Sequence, residues 1–170
     1  MDFRIPAEIE DYLHVLDKFI EDEIMPLQEQ DDNIRFFDHR REWARTDFEN
    51  GGLPREEWEE LLAECRRRAD AAGHLRYALP SEFGGQDGTN LDMAIIREHL
   101  AKKGLGLFND LQNEHSIVGN FPQILMLRDF ARPDQKHLIQ DALDGKYKAC
   151  FGLTEPDHGS DATHMETRAV

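Results

Sequence analysis

The residues with the most chemical potential lie near the end of the chain, in Cys150-Phe151-Gly152-Leu153-Thr154-Glu155-Pro156-Asp157-His158-Gly159-Ser160-Asp161-Ala162. From Tyr147 the apolar period is two, which reads as an extended segment stopped by Pro156 and followed by a second β-prone stretch. In an extended strand Phe151 and Leu153 share one face, and Gly152 and Thr154 share the other. The second face is nearly bare at Gly152, so a flat ligand can approach the backbone there. Backbone N–H groups and the Thr154 hydroxyl can then donate to its edge. Gly159-Ser160 is a second point of close approach, with a hydroxyl and amides suited to a phosphate or a carbonyl. A plain strand–turn–strand corner explains the same residues, and both readings stand at this point.

Other chemistries find less support. His158, Asp161 and His164 are spaced by three and would converge as metal ligands on a helix. Pro156 and Gly159 oppose a helix there, and no metal site is assigned. No Ser/His/Asp triad and no catalytic carboxylate pair follows from spacing, and the many acids fall mostly on outer helix faces. The glycine-rich stretch Leu79–Gly88 lacks both a preceding strand and nucleotide-loop spacing, so it reads as a corner between helices.

The elements that must position this stretch are mainly helical. Ile9, Tyr12, Leu13, Leu16, Phe19, Ile20, Ile24 and Leu27 recur at steps of three and four, which predicts a helix over 7–28 that Pro26 ends or kinks. Residues 29–53 are polar and charged, with Phe36, Phe37 and Trp43 set among arginines, and read as a surface connector closed by Gly51-Gly52. Pro54 opens a second helix that runs to about Ala72 and stops at Gly73. Asn90 is the expected N-cap of a third, which ends near Lys103. Residues 107–130 read as a largely buried helix studded with polar residues, interrupted at Pro122. A last helix spans Pro133 to Leu143. The expected organisation is a helical domain over 1–145, followed over 146–170 by the start of a β domain.

Composition narrows the function classes. The chain has 170 residues, 39% of them hydrophobic, and a formal charge of −15. Such acidity argues against nucleic acid and anionic membrane surfaces as partners. No stretch has the ~18 apolar residues of a membrane span, and the acidic, helical N-terminus does not read as a targeting peptide. A cytoplasmic protein is expected. Cys65 and Cys150 read as unpaired thiols in a reducing compartment.

The run Leu153–Ala162 resembles the first signature of the acyl-CoA dehydrogenase family: a hydrophobic residue, then Thr-Glu-Pro, two variable positions, then Gly-Ser-Asp. Pro80-Ser81-Glu82-Phe83-Gly84-Gly85-Gln86-Asp87-Gly88 is similar to that family's corner between helices. Asp134-Gln135-Lys136 through Gly145 is similar to its helix before the signature. The resemblance implies a mainly α fold, with an N-terminal helical domain and the first strands of a middle β domain. It implies FAD as cofactor and α,β-dehydrogenation of an acyl-CoA thioester, with hydride passing to flavin N5. Phe151, Leu153 and Thr154 would line or bond the flavin ring. Gly159 and Ser160 would bind the FAD pyrophosphate region, with Ser160 also near the substrate thioester. The implied acceptor is electron-transfer flavoprotein, and the implied assembly a homo-oligomer, a dimer or tetramer. The family's catalytic glutamate lies in a C-terminal bundle beyond Val170, so no catalytic residue is assigned in this chain, and alone it is expected to be inactive. The other expectation, from a different class, is a non-catalytic helical module or subunit that pairs with a complete dehydrogenase.

Overall fold

The computed structural model describes residues 4–38, 40–109, 116–147 and 152–168. They are mainly helical, with one small two-stranded sheet. They form two compact units, Met1–Phe121 and Pro122–Val170. No described helix is long and apolar enough to cross a membrane.

The first unit begins with helix α1 (Ala7–Phe19), a π-helical turn (Ile20–Ile24) and α2 (Met25–Glu29) in succession. The apolar stripe is buried as its spacing predicts, from Ile9 through Leu13, Leu16, Phe19, Ile20 and Ile24 to Leu27. Helical backbone stops at Glu29, in the turn that holds Pro26. The proline lacks an N–H, and the π turn lies just ahead of it, with the Met25 N–H reaching back five residues to the Ile20 carbonyl. The wider ring shifts the register, and helical backbone continues three residues past the proline to Glu29.

The connector is built of 3-10 turns (Gln30–Phe37 and Glu42–Ala44) and a short hairpin. Strands β1 (Thr46–Asp47) and β2 (Leu53–Pro54) pair antiparallel, with Thr46 opposite Pro54 and Asp47 opposite Leu53. Pro54 therefore belongs to β2. Helix α3 (Glu56–Ala71) opens two residues later than expected, with Glu56, Glu57 and Glu59 at its positive N-terminal end. Trp58, Leu61, Leu62, Cys65 and Ala69 are its buried face.

Residues 79–88 fold into the glycine-built corner that the sequence predicts, bonded back to Tyr77. The Tyr77 carbonyl accepts both Gln86 N–H and Gly88 N–H at 3.1 Å. Gly85 lies so near the backbone that a Cβ there would fall 1.9 Å from the Leu79 carbonyl oxygen. Helix α4 (Asn90–Lys102) is capped by Thr89 rather than Asn90. The Thr89 hydroxyl accepts the Asp92 N–H, and the Asp92 carboxylate accepts the Thr89 N–H, a reciprocal capping box.

Of the helix expected over 107–130, the part restarted at Pro122 forms, as a helix over Pro122–Phe130, whereas the described residues before it are not helical. Residues 107–109 and 116–121 are irregular, although Leu107, Phe108, Ile117, Val118 and Phe121 are buried. Their backbone groups bond elsewhere: Ile117 N–H to the Phe108 carbonyl at 3.3 Å, and Gly119 N–H to the Leu75 carbonyl at 2.9 Å. Gln112, Asn113 and His115, three of the polar residues in that stretch, lie outside the described residues.

In the second unit α5 (Pro122–Phe130) precedes a 3-10 turn (Pro133–Gln135) and α6 (His137–Leu143). The Lys136 ammonium donates to the carbonyls of Leu127 and Arg128 at the end of α5, where a cation is favoured. Residues 152–168 contain no strand, unlike the expected β segments. A strand needs a neighbour to take its N–H and C=O groups, and among the described residues none pairs with them in a ladder.

Candidate functional site

The stretch from Gly152 to Arg168 is organised by one carboxylate. Glu155 accepts the N–H groups of Glu166 at 2.9 Å and Thr167 at 2.8 Å, so the returning chain is tied back to the Thr-Glu-Pro turn. Those two donors hold its carboxyl below the usual range. Backbone bonds between Glu155 and His158, at 3.1 and 3.3 Å, close the turn around Pro156. Asp161 makes a second tie: it accepts the Thr163 N–H at 3.1 Å and hydroxyl at 2.5 Å, which lowers its carboxyl too. Two imidazoles stack across the loop, His158 on His164, 5.2 Å between centroids and 2° from parallel.

Among the expected site residues, Leu153, Thr154, Gly159 and Ser160 belong to this loop, whereas Phe151 lies outside the described residues. Thr154, Gly159 and Ser160 are exposed, and Leu153 sits at the edge of exposure. At both Gly152 and Gly159 an added Cβ would meet nothing within 4 Å. Open space therefore adjoins the backbone at the two places where the sequence predicts close approach. Glu155 and Asp161, on either side of Gly159-Ser160, each accept donors from their own loop. Bare glycine backbone and the two hydroxyls give room for a flat heteroaromatic ring and donors for a phosphate ester. These features fit a flavin.

His158, Asp161 and His164 do come together, but as a stack with flanking acids. His164 Nδ1 is 3.5 Å from Asp161, and His158 Nε2 is 3.8 Å from Glu166, beyond hydrogen-bond reach. Among the described residues no group of three His, Cys, Asp or Glu side chains has the geometry to hold a metal ion.

Sequence reading missed a second polar arrangement, in the first unit. Gln28 is 5% exposed. Its Oε1 accepts the Leu107 N–H at 2.8 Å, while the Cys65 thiol donates to the Leu107 carbonyl at 3.3 Å. Both backbone groups of one buried residue are thus satisfied by side chains from α2 and α3. Burial pushes the Cys65 thiol up to about 12, so it stays protonated and able to donate. The available signal was Gln28 lying on the buried side of an otherwise apolar helix end.

No protein-family model matches the chain, and no solved structure matches it significantly. Curated relatives do. The chain is 27% identical to a 3-sulfinopropanoyl-CoA desulfinase of Variovorax paradoxus over 129 residues, 76% of this chain and 31% of that protein. It is 32% identical to a subunit of the caffeyl-CoA reductase–Etf complex of Acetobacterium woodii over 98 residues, 58% of this chain and 25% of that one. It is 30% identical to a probable acyl-CoA dehydrogenase of Bacillus subtilis over 105 residues, 61% and 17% respectively. The matched regions span less than a third of the length of these relatives. They bear out the resemblance to the acyl-CoA dehydrogenase family.

Proposed function

We propose that this chain is the N-terminal part of an FAD-dependent acyl-CoA dehydrogenase, with a helical domain over 1–145 and a flavin-binding β domain beginning at 146. The observation that carries this reading is the 153–162 run, with open backbone at Gly152 and Gly159. The CoA-ester chemistry in the names of its relatives supports it.

When bound, the flavin supplies the hydride acceptor for α,β-dehydrogenation of an acyl-CoA. The chain's own residues hold and polarise it. Leu153, with Phe151 beside it in sequence, offers an apolar face to the ring. The Thr154 hydroxyl and neighbouring N–H groups would donate to the ring edge, where such donors favour negative charge on the ring. The amides and hydroxyl of Gly159-Ser160 would hold the pyrophosphate region, and Ser160 would also lie near the substrate thioester. Glu155 acts through the backbone: by tying 166–167 to the turn it fixes the loop that presents those donors. No residue of this chain is assigned as the base that removes the α proton. Electron-transfer flavoprotein is the proposed acceptor, supported by the Etf complex named for one relative. A cytoplasmic homo-oligomer is the proposed state.

The test is titration of the apoprotein of the complete polypeptide with FAD, followed by flavin fluorescence. Thr154→Ala and Ser160→Ala each remove one donor and are expected to weaken binding roughly tenfold. Gly152→Val fills the open face and is expected to weaken it further. Unchanged FAD affinity in all three variants would overturn the assignment.

A further inference from the structure

The 3-10 segment Gln30–Phe37 holds two consecutive non-glycine residues in the left-handed region, Asp31 at φ 50° and Asp32 at φ 59°. Such backbone is unfavourable for a residue with a Cβ and persists only where its surroundings hold it. Here both carbonyls converge on one guanidinium: Arg35 Nη1 donates to the Asp31 and Asp32 carbonyls, each at 3.1 Å. The same guanidinium lies over the buried Phe36 ring, 4.1 Å from its centre. Arg35 is thus fixed by its own segment. Its Nε and Nη2 groups, the edge that grips a phosphate with two parallel bonds, donate to nothing among the described residues.

This prepared donor belongs to a cleft. Ile34, Arg35, Phe37, Asp38, Arg40 and Arg41 line a cavity of about 250 Å³. Asp38 sets the other two arginines: its carboxylate accepts Arg40 Nε at 2.9 Å and Nη2 at 3.0 Å, and lies 3.6 Å from Arg41 Nε. Arg41 Nη1 also donates to Asp32 at 3.1 Å. Three guanidiniums therefore meet two carboxylates, which leaves positive charge in excess within a chain of formal charge −15. The overall field repels anions, so an anion bound here is held by these local groups. A carboxylate offers two oxygens, whereas a phosphate monoester offers three, one for each arginine. Ile34 and Phe37 add an apolar wall beside guanidiniums, which themselves stack on flat rings.

We propose that this cleft binds a phosphate monoester carried on a flat ring. Arg35 takes the phosphate side-on, Arg40 and Arg41 balance its charge, and the ring rests against Ile34 and Phe37. The cleft belongs to the first unit, and its failure would leave the flavin reading untouched.

The experiment is calorimetric titration of the complete polypeptide with phenyl phosphate, beside inorganic phosphate and phenol. Phenyl phosphate is expected to bind, inorganic phosphate to bind more weakly, and phenol not to bind measurably. Arg35→Gln should weaken phenyl phosphate roughly tenfold or more. That variant also frees two carbonyls of the turn, so a second one leaves the turn's bonds in place. Ile34 is 49% exposed, and Ile34→Glu sets a carboxylate in the cleft; it too should weaken binding roughly tenfold or more. Arg67→Gln, an exposed change on α3, removes one charge elsewhere and should bind as the wild type does. No binding of phenyl phosphate by the wild type, or wild-type affinity in Arg35→Gln and Ile34→Glu, would overturn the proposal. An equal loss in Arg67→Gln would overturn it as well, by showing an effect of net charge alone. Equal affinity for the two phosphates would overturn the place given to the ring.

Discussion

Replacing Gln28 with methionine should destabilise the first unit by about 2 kcal/mol. The two side chains have similar volume, so no large cavity forms. What is lost is the 2.8 Å bond from the Leu107 N–H to Gln28 Oε1. Leu107 is itself fully buried, and its carbonyl is already engaged by Cys65. Water therefore has no ready route to the orphaned N–H, and the cost is its desolvation, about 1–3 kcal/mol. For a protein of this size that corresponds to a fall in Tm of about 4–8 °C. Urea unfolding gives the free energy from the shift in midpoint at constant slope. Amide hydrogen exchange at Leu107 should accelerate in parallel. Gln28→Glu sharpens the test: it keeps the acceptor but buries a charge when ionised, so its destabilisation should ease on acidification. A Gln28→Met protein within about 0.5 kcal/mol of wild type, with Leu107 exchange unchanged, would refute the reasoning.

Gly85→Ala should cost at least about 2 kcal/mol, because its Cβ would lie 1.9 Å from the Leu79 carbonyl oxygen and rigid backbone must move; urea unfolding measures the loss. Asp17 accepts His99 Nε2 at 2.6 Å and Lys103 Nζ at 3.0 Å. Burial opposes its ionised form, but these partners outweigh it and lower its carboxyl. Its stabilisation is therefore present above the ordinary carboxylate pKa of about 4 and lost on acidification below it. Asp17→Asn should cost about 1 kcal/mol near neutrality, and the difference from wild type should shrink in acid unfolding series. His74 is buried against Tyr12 and Phe19, and burial lowers its pKa. The unfolded chain then takes up the proton first, so stability falls as pH drops below about 6.5. Subtracting the profile of His74→Phe from that of wild type should show this slope, and a flat difference would contradict it.

The elements legible in the sequence are those whose signal is local. The 3.6-residue stripes of Ile9–Leu27 and Trp58–Ala69 became the buried faces of their helices. The glycine corner over 79–88 followed from residue types that tolerate close backbone approach. Pro26 marked the last turn, since helical backbone ends at Glu29, but the π turn just ahead of it carries no signal of its own in the sequence. The 107–121 segment reads as helix from its apolar content. The carbonyls that accept its Ile117 and Gly119 N–H groups, those of Phe108 and Leu75, are set by tertiary packing that no periodicity encodes. At the candidate site, Leu153, Thr154, Gly159 and Ser160 stood out through one short motif. The part played by Glu155 did not, since it depends on the chain returning eleven residues later. Strand pairing of 152–168 is likewise a property of partners, not of the segment's own alternation.

The most direct measurement is anaerobic titration of the complete, purified polypeptide with a series of acyl-CoA thioesters, read by the absorbance of its bound flavin. A dehydrogenase should be purified yellow, and at least one acyl-CoA should bleach the flavin band and yield the corresponding enoyl-CoA. A colourless protein that takes up no FAD, or a flavin band that no acyl-CoA reduces, would contradict the proposed function.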